Sequence, residues 1–362
     1  MASPNNLASY IKMVIRKGWL KRGFSWRNLL QVFRLMRKAV KNENRRLANK
    51  IRLNTEIPAV CIFSVTWECN LKCVGCYAMN YRRQDQMNPS QVSSAIDKLM
   101  DLGTYMFVIA GGEPLMVPGL IDILGRHRDG LFFLFTNATL LTPARINQLK
   151  EYQNIMPVIS IEGEKADTDA RRGPGVADKV EQAIRLLKKH GLIFGFSTMA
   201  THLNVSYVTS RDYMVKMADQ GAVYAFIIDY IPFEFSLNPE YILTPSDNQM
   251  KQRELEARNH DTPLLVMNFP SDEYKDNTCK SAGRGLIHIN ANGWVEPCPF
   301  SHYSSHHILK DDYRDVLNSE FFIRIRKQFV STQHHGECML MKHRDQVAEI
   351  VRQTGAFSTE KS

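Results

Sequence analysis

Within eight residues the chain places three thiols, Cys69, Cys73 and Cys76, at the spacing C-x3-C-x2-C. Thiolates packed this closely suit a soft metal centre. A structural zinc site takes four protein ligands. No fourth is offered here: no His lies near in sequence, and the nearest other thiol, Cys61, sits inside an apolar run. Three ligands suit an iron–sulfur cluster with one iron left open for a further ligand. The competing reading is a distorted zinc site in a non-catalytic interaction protein.

About 35 residues further on comes Gly111-Gly112-Glu113-Pro114, whose glycines let backbone approach closely at the end of a strand. With both motifs in place the sequence resembles the radical S-adenosylmethionine (SAM) superfamily. That resemblance implies a 4Fe–4S cluster on Cys69, Cys73 and Cys76, with SAM chelating the open iron. The reduced cluster would cleave SAM to methionine and a 5′-deoxyadenosyl radical, which takes a hydrogen from an unactivated carbon. The cofactor carries such chemistry and the protein positions it. It further implies that Gly111, Gly112, Glu113 and Pro114 meet the SAM ammonium, that Tyr77 meets adenine, and that Asn137 and Ser160 meet ribose or carboxylate. Glu162 would accept from a ribose hydroxyl or touch substrate, and Arg171 or Arg172 would pair with the SAM carboxylate. One departure stands out: Gly75 precedes the third Cys, where the superfamily often has an aromatic residue.

A second constellation follows. Cys279-x13-Gly293-x4-Cys298 resembles the opening of SPASM and twitch domains, and Cys338 is the one later Cys. This implies a shortened, twitch-like domain with a second, auxiliary 4Fe–4S cluster. The fourth position would go to water, substrate, or one of His302, His306, His307, His334, His335 and His343.

The elements that must position these residues alternate. Apolar strands at about 60–66, 105–110, 131–135, 157–161, 192–199 and 222–231 are separated by amphipathic helical stretches, the clearest being 176–190 stopped by Gly191. Such alternation implies right-handed crossovers and a parallel sheet. Six units predict an α/β fold, a partial (β/α)6 TIM-like barrel, with a small C-terminal α+β twitch-like cluster-binding domain. The candidate residues fall after strands one to four, at the end where barrels gather function. The organisation expected is a basic helical arm at 1–57, the barrel at 58–235, a connecting segment at 236–269, the twitch-like domain at 270–345 and a C-terminal tail at 346–362, frayed over about its last ten residues. An Ala291-Asn292-Gly293 turn predicts a hairpin just before Cys298.

Seven Cys, with three at metal spacing, argue for a reducing cytoplasmic interior and against a disulfide framework. No apolar run reaches the ~20 residues of a membrane span. The net charge of +9 is uneven: residues 1–50 carry thirteen Lys or Arg against Glu43 alone, the remainder 33 against 36 acids. The near-neutral body gives no nucleic-acid footprint. The arm's stripes, Leu7–Ile15 and Trp26–Val40, fit either packing against the barrel or peripheral binding to an anionic membrane surface. The substrate expected is a peptide or protein side chain, with a lipid, tetrapyrrole or other small molecule as the alternative. The reductant expected is a donor such as flavodoxin or ferredoxin.

Overall fold

The computed structural model describes residues 25–233, 237–270, 278–330 and 338–360. The arm's first stripe, Trp19, Phe24, His334 and His335 lie outside them. Helix α1, Trp26–Leu53, opens with Ser25 as N-cap in a capping box with Asn28. Then β1 (Val60–Ser64), α2 (Pro89–Leu102), β2 (Met106–Ala110), α3 (Leu120–Arg126), β3 (Leu131–Thr136), α4 (Pro143–Glu151) and β4 (Ile155–Ser160) alternate. They continue through α5 (Lys165–Arg172), α6 (Val176–Lys189), β5 (Gly195–Ala200), α7 (Val205–Val208), α8 (Arg211–Asp219), β6 (Tyr224–Asp229), α9 (Pro245–Asp261) and β7 (Leu265–Phe269). The C-terminal part holds β8 (Leu286–Ile289), β9 (Val295–Glu296), β10 (Tyr303–Ser304), α10 (Tyr313–Leu317), α11 (Glu320–Gln328), α12 (Met339–Lys342), α13 (Arg344–Thr354) and β11 (Phe357–Ser358).

Nine strands form one open sheet in the order β7-β6-β5-β4-β3-β2-β1-β8-β9, parallel except for β9. This is the partial TIM-like barrel, extended past six units at both edges. At one edge α9 and β7, within 236–269, add a parallel step, Tyr224 facing Leu265. At the other, β8 of the hairpin joins the barrel directly, Val60 facing Leu286 and Phe63 facing Ile289. The sheet thus runs through the positions 235 and 270 that the sequence pattern marks as changes of texture.

The outward face of the sheet packs with the crossover helices in one large core that includes Phe63, Phe107, Leu134, Ile159, Ile227, Leu99 and Leu187. The inward face forms a second cluster, Val158, Phe133 and Phe226 among its members, which Leu29, Val32, Leu35 and Met36 of α1 complete. Polar side chains of α1 donate to the carbonyls that precede successive strands: Arg46 to Ile57, Asn49 to Leu102, Asn42 to Asp129, Gln31 to Gln153 and Asn28 to Gly191, at 2.6–2.9 Å. Helix α1 therefore closes the N-terminal end of the barrel, running beneath β5, β4 and β3 and then reaching β1 and β2 from its last turns. This is the packing use of the second stripe. Trp26 (75% exposed) and Leu30 stay on its solvent side.

Two local expectations differ. Helix α5 has no apolar stripe and buries only Thr168, so periodicity does not reveal it. The last residues are not frayed: β11 pairs antiparallel with β10, and Thr359 is buried, donating its N–H to the His302 carbonyl at 3.0 Å. The contacts that tie this segment to β10 and to His302 are distant in sequence.

Candidate functional site

The Cys loop leaves the C-terminal end of β1 and is clamped from three sides. From β2, Gly112 N–H donates to Thr66 O (2.7 Å) and Glu113 N–H to Glu68 O (2.8 Å). A Cβ on Gly111 would lie 2.2 Å from Thr66 O, and one on Gly112 would lie 2.1 Å from Glu68 O. Only glycine permits this crossing. From β3, the Asn137 amide donates to Asn70 Oδ1 at 2.9 Å and reaches 4.0 Å from Cys69 Sγ. From α5, Val74 N–H donates to Arg171 O (2.9 Å) while Arg171 Nε donates back to Val74 O (3.2 Å).

Cys69, Cys73 and Cys76 are half-buried and close enough to feel one another's charge. Burial pushes the Cys69 and Cys76 thiols up; the N–H groups of Leu71 and Ala78 and, at Cys76, the Arg171 and Arg172 charges oppose it. Among the described residues no three His, Cys, Asp or Glu side chains are drawn together as a bound metal would draw them. The donor set nevertheless fits a cluster. It supplies three accessible thiols on a fixed loop, N–H donors at sulfur and cationic groups nearby, the features that hold and tune iron–sulfur centres.

The other sequence-singled residues gather here, but many bond one another. The Glu113 carboxylate, 1% exposed, accepts from Leu115 N–H (3.0 Å), Thr136 Oγ1 (2.7 Å) and Asn137 N–H (2.8 Å). It ties β2 to β3, and burial raises its pKa. Pro114 starts the buried turn that follows. The Glu162 carboxylate pairs with both Arg171 and Arg172 and accepts from Met199 N–H at 3.1 Å. Burial alone would raise the pKa of Glu162, but the two guanidinium charges outweigh it and hold the carboxyl below its usual range. The two side chains read from sequence as separate SAM contacts are thus each other's partners. Ser160 stands inward, 3.3 Å from Ser197 Oγ. The Tyr77 hydroxyl, pushed up to about 12 by burial, lies 3.3 Å from Ser64 Oγ.

Sequence reasoning missed three features. Gly75 adopts φ +69°, and a Cβ there would meet the Tyr230 ring at 2.9 Å. An aromatic ring does sit beside this position, supplied from the end of β6. The second feature is a buried hub at Glu296, 0% exposed. It accepts from Tyr81 (2.9 Å), Asn290 (2.8 Å) and Thr359 (2.6 Å) and meets His288 Nδ1 at 2.6 Å. His288 Nε2 in turn meets Ser64 Oγ at 2.9 Å. This links the residue after Cys76 to the hairpin before Cys298 and to the C-terminal segment. The third is a ring stack at the same edge, Trp67 on Tyr81 with centroids 3.9 Å apart. The signal the sequence offered for His288 and Glu296 is the predicted hairpin, which sets them opposite one another across β8 and β9.

Cys279, Cys298 and Cys338 are all buried in the large core. Gly293 adopts φ +85°, and a Cβ there would collide with the His307 ring at 2.4 Å. His302 engages Glu360 and Pro299 O, and His307 engages Asn292 O and Leu309 N–H, so both ring nitrogens of each are occupied by protein.

Residues 63–210 match the Radical SAM superfamily. The chain is 28% identical over 302 residues to AdoMet-dependent heme synthase of Methanosarcina barkeri, covering 75% of this chain and 86% of that protein. It is 25% identical over 274 residues to the antilisterial bacteriocin subtilosin biosynthesis protein AlbA of Bacillus subtilis, covering 73% and 60%. Its fold is similar to that of Streptococcus suis SuiB bound to precursor peptide SuiA, with a TM-score of 0.60 at 16% identity over 81% of this chain and 70% of SuiB. Residues 63–210 are a radical SAM domain, and the chain is an enzyme.

Proposed function

We propose that this enzyme modifies a peptide or protein side chain by radical chemistry, with Cys69, Cys73 and Cys76 holding the barrel cluster. The observation that carries the site is the convergence of four strand ends: the loop after β1 is pinned by Gly112 after β2, Asn137 after β3 and Arg171 beyond β4. Cys69, Cys73 and Cys76 would hold a 4Fe–4S cluster, and when bound and reduced that group would supply the electron for cleavage of SAM to methionine and a hydrogen-abstracting 5′-deoxyadenosyl radical. The chain's own work is positional. The carbonyls of Gly111 and Gly112 and the residues after β3 and β4 frame the SAM site, the Glu162–Arg171–Arg172 triad fixes the loop, and Tyr230 flanks it. A one-electron donor such as flavodoxin or ferredoxin serves as reductant. The peptide reading is supported by the relatives, one concerned with a bacteriocin and one bound to a precursor peptide. Cys279, Cys298 and Cys338, in a twitch-like region, hold an auxiliary cluster. The test is anaerobic reconstitution with iron, sulfide and zinc analysis. A brown protein containing iron and sulfide that cleaves SAM under dithionite is expected. A colourless protein with stoichiometric zinc contradicts the proposal.

Among the described residues no helix is long and apolar enough to cross a membrane. Surface attachment is a second reading, supported by Trp26 and Leu30 exposed on the solvent side of a strongly basic helix. Flotation with anionic liposomes at low salt tests it: the unsubstituted protein floats and a Trp26→Glu, Leu30→Glu variant, altered only at exposed positions, does not; failure of the unsubstituted protein to float contradicts the reading.

A further inference from the structure

The hairpin of β8 and β9 meets the Cys loop on both of its flanks. Before the first thiol, Trp67 Nε1–H donates to Asn292 Oδ1 at 2.9 Å. After the third, the turn Tyr77–Asn80 leads to Tyr81. The Tyr81 hydroxyl donates to Glu296 Oε2 at 2.9 Å, and its ring stacks on Trp67. The start of the same turn reaches the hairpin by a longer route. Ile62 pairs with His288 across β1 and β8, so Ser64, two residues on, shares the face of His288. His288 in turn pairs with Glu296 across β8 and β9. The resulting chain runs from the Tyr77 hydroxyl to Ser64 Oγ (3.3 Å), from Ser64 Oγ to His288 Nε2 (2.9 Å), and from His288 Nδ1 to Glu296 Oε2 (2.6 Å). With Nδ1 donating to the carboxylate, Nε2 of the neutral ring accepts from Ser64, and the Ser64 oxygen is left to accept from Tyr77. The Gly111 N–H also stands at the Tyr77 hydroxyl. Ser64, His288 and Glu296 are all 0% exposed.

A buried polar network adds little stability over apolar packing, but when fully satisfied it fixes one arrangement. What this one fixes is the turn after Cys76, held at Tyr77 through Ser64 and His288 and at Tyr81 by Glu296. We infer that Ser64 and His288 are positioning residues for SAM binding: they set the Tyr77 ring, beside Cys76 and Gly111, against which SAM is seated. This rests on the reading above that places SAM at the Cys loop. Both residues are sealed from the site and act through Tyr77. A residue of the C-terminal hairpin therefore governs how well the barrel holds SAM.

The test is the SAM affinity of the full-length enzyme, reconstituted anaerobically and left unreduced so that nothing turns over. Equilibrium dialysis reads SAM bound relative to iron. Tyr77→Phe removes the end of the chain and Ser64→Ala its middle. Each should weaken SAM roughly fivefold, the worth of one net hydrogen bond. The double variant should weaken it no further, because both changes break one link. His288→Asn keeps an amide donor near the place of Nδ1 but does not reach Ser64, and should match Ser64→Ala. Thr359→Val removes a donor to Glu296 and leaves the chain whole, so it should lower stability without changing SAM affinity. A merely structural role gives another pattern, with SAM affinity following the melting temperature across all variants, Thr359→Val included. That pattern, additive loss in the double variant, or SAM bound alike by Tyr77→Phe, Ser64→Ala and the unsubstituted enzyme overturns the inference and leaves the SAM site standing. An unsubstituted enzyme that holds its iron and binds no SAM overturns the SAM site itself, and the inference with it.

Discussion

The two sets of three cysteines are built on opposite plans. Cys69, Cys73 and Cys76 share one loop, half-exposed, with backbone held from β2 and α5 and a side-chain clamp from β3. Cys279, Cys298 and Cys338 come from three separate segments and lie buried in the main core, Cys279 Sγ 3.1 Å from Ser281 Oγ. The first set depends on local backbone geometry, the second on long-range packing. A close-set loop of accessible thiols suits a centre that must meet a small-molecule ligand. Dispersed buried thiols suit a centre sealed from solvent.

The largest effect expected is at the crossing beneath the first set. Gly112→Ala puts a methyl against the Glu68 carbonyl, so the loop must move and the barrel site should lose its iron on desalting. Gly119→Ala is the control, since nothing lies within 4 Å of its Cβ and only φ +69° is strained, at a cost of about 1 kcal/mol. Equal iron retention in the two variants would show that the crossing does not set the site.

Next, a protein lacking all three barrel thiols should keep about four irons if the buried set holds its own cluster. A folded variant with no iron would reduce the second set to core thiols and end the comparison.

Smaller is the effect of the triad that pins α5 to the loop. The folded pKa of Glu162 lies below its ordinary value, so its stabilisation is present above the unfolded pKa of about 4.3 and is lost as pH falls through the folded one. Glu162→Gln should cost about 3–5 kcal/mol near neutrality, because two buried guanidinium groups lose their partner. It should also flatten the acid limb of stability measured by urea unfolding. An unchanged acid limb would remove the triad from the account.

The smallest is at the hub that joins the two regions. Thr359→Val removes one of the donors to Glu296 and should lower stability by about 1–3 kcal/mol. A neutral result by thermal unfolding would mean that the C-terminal segment is carried by β10–β11 pairing alone.

The barrel and its loop were legible because their signals are local. Three thiols fall in eight residues, Gly111-Gly112 precedes Glu113, and strands alternate with helices at regular distance. What could not be read is what distance in sequence conceals. The pairing of Glu162 with Arg171 and Arg172 depends on α5, which has no apolar stripe. Tyr230 reaches Gly75 across more than 150 residues. Thr359 meets Glu296 only because the C-terminal segment folds back, where composition alone suggested fraying. The arm sits between these cases. Its apolar stripe was readable, but not the row of Asn28, Gln31, Asn42 and Asn49 that fastens it beneath the strands.

The central claim is that the thiols of one loop hold the centre that cleaves SAM. The most direct measurement is 5′-deoxyadenosine formed under dithionite by the anaerobically reconstituted enzyme and by Cys69→Ala, Cys73→Ala and Cys76→Ala separately. The account predicts product from the unsubstituted enzyme and background from each variant. Undiminished product from all three variants would contradict it.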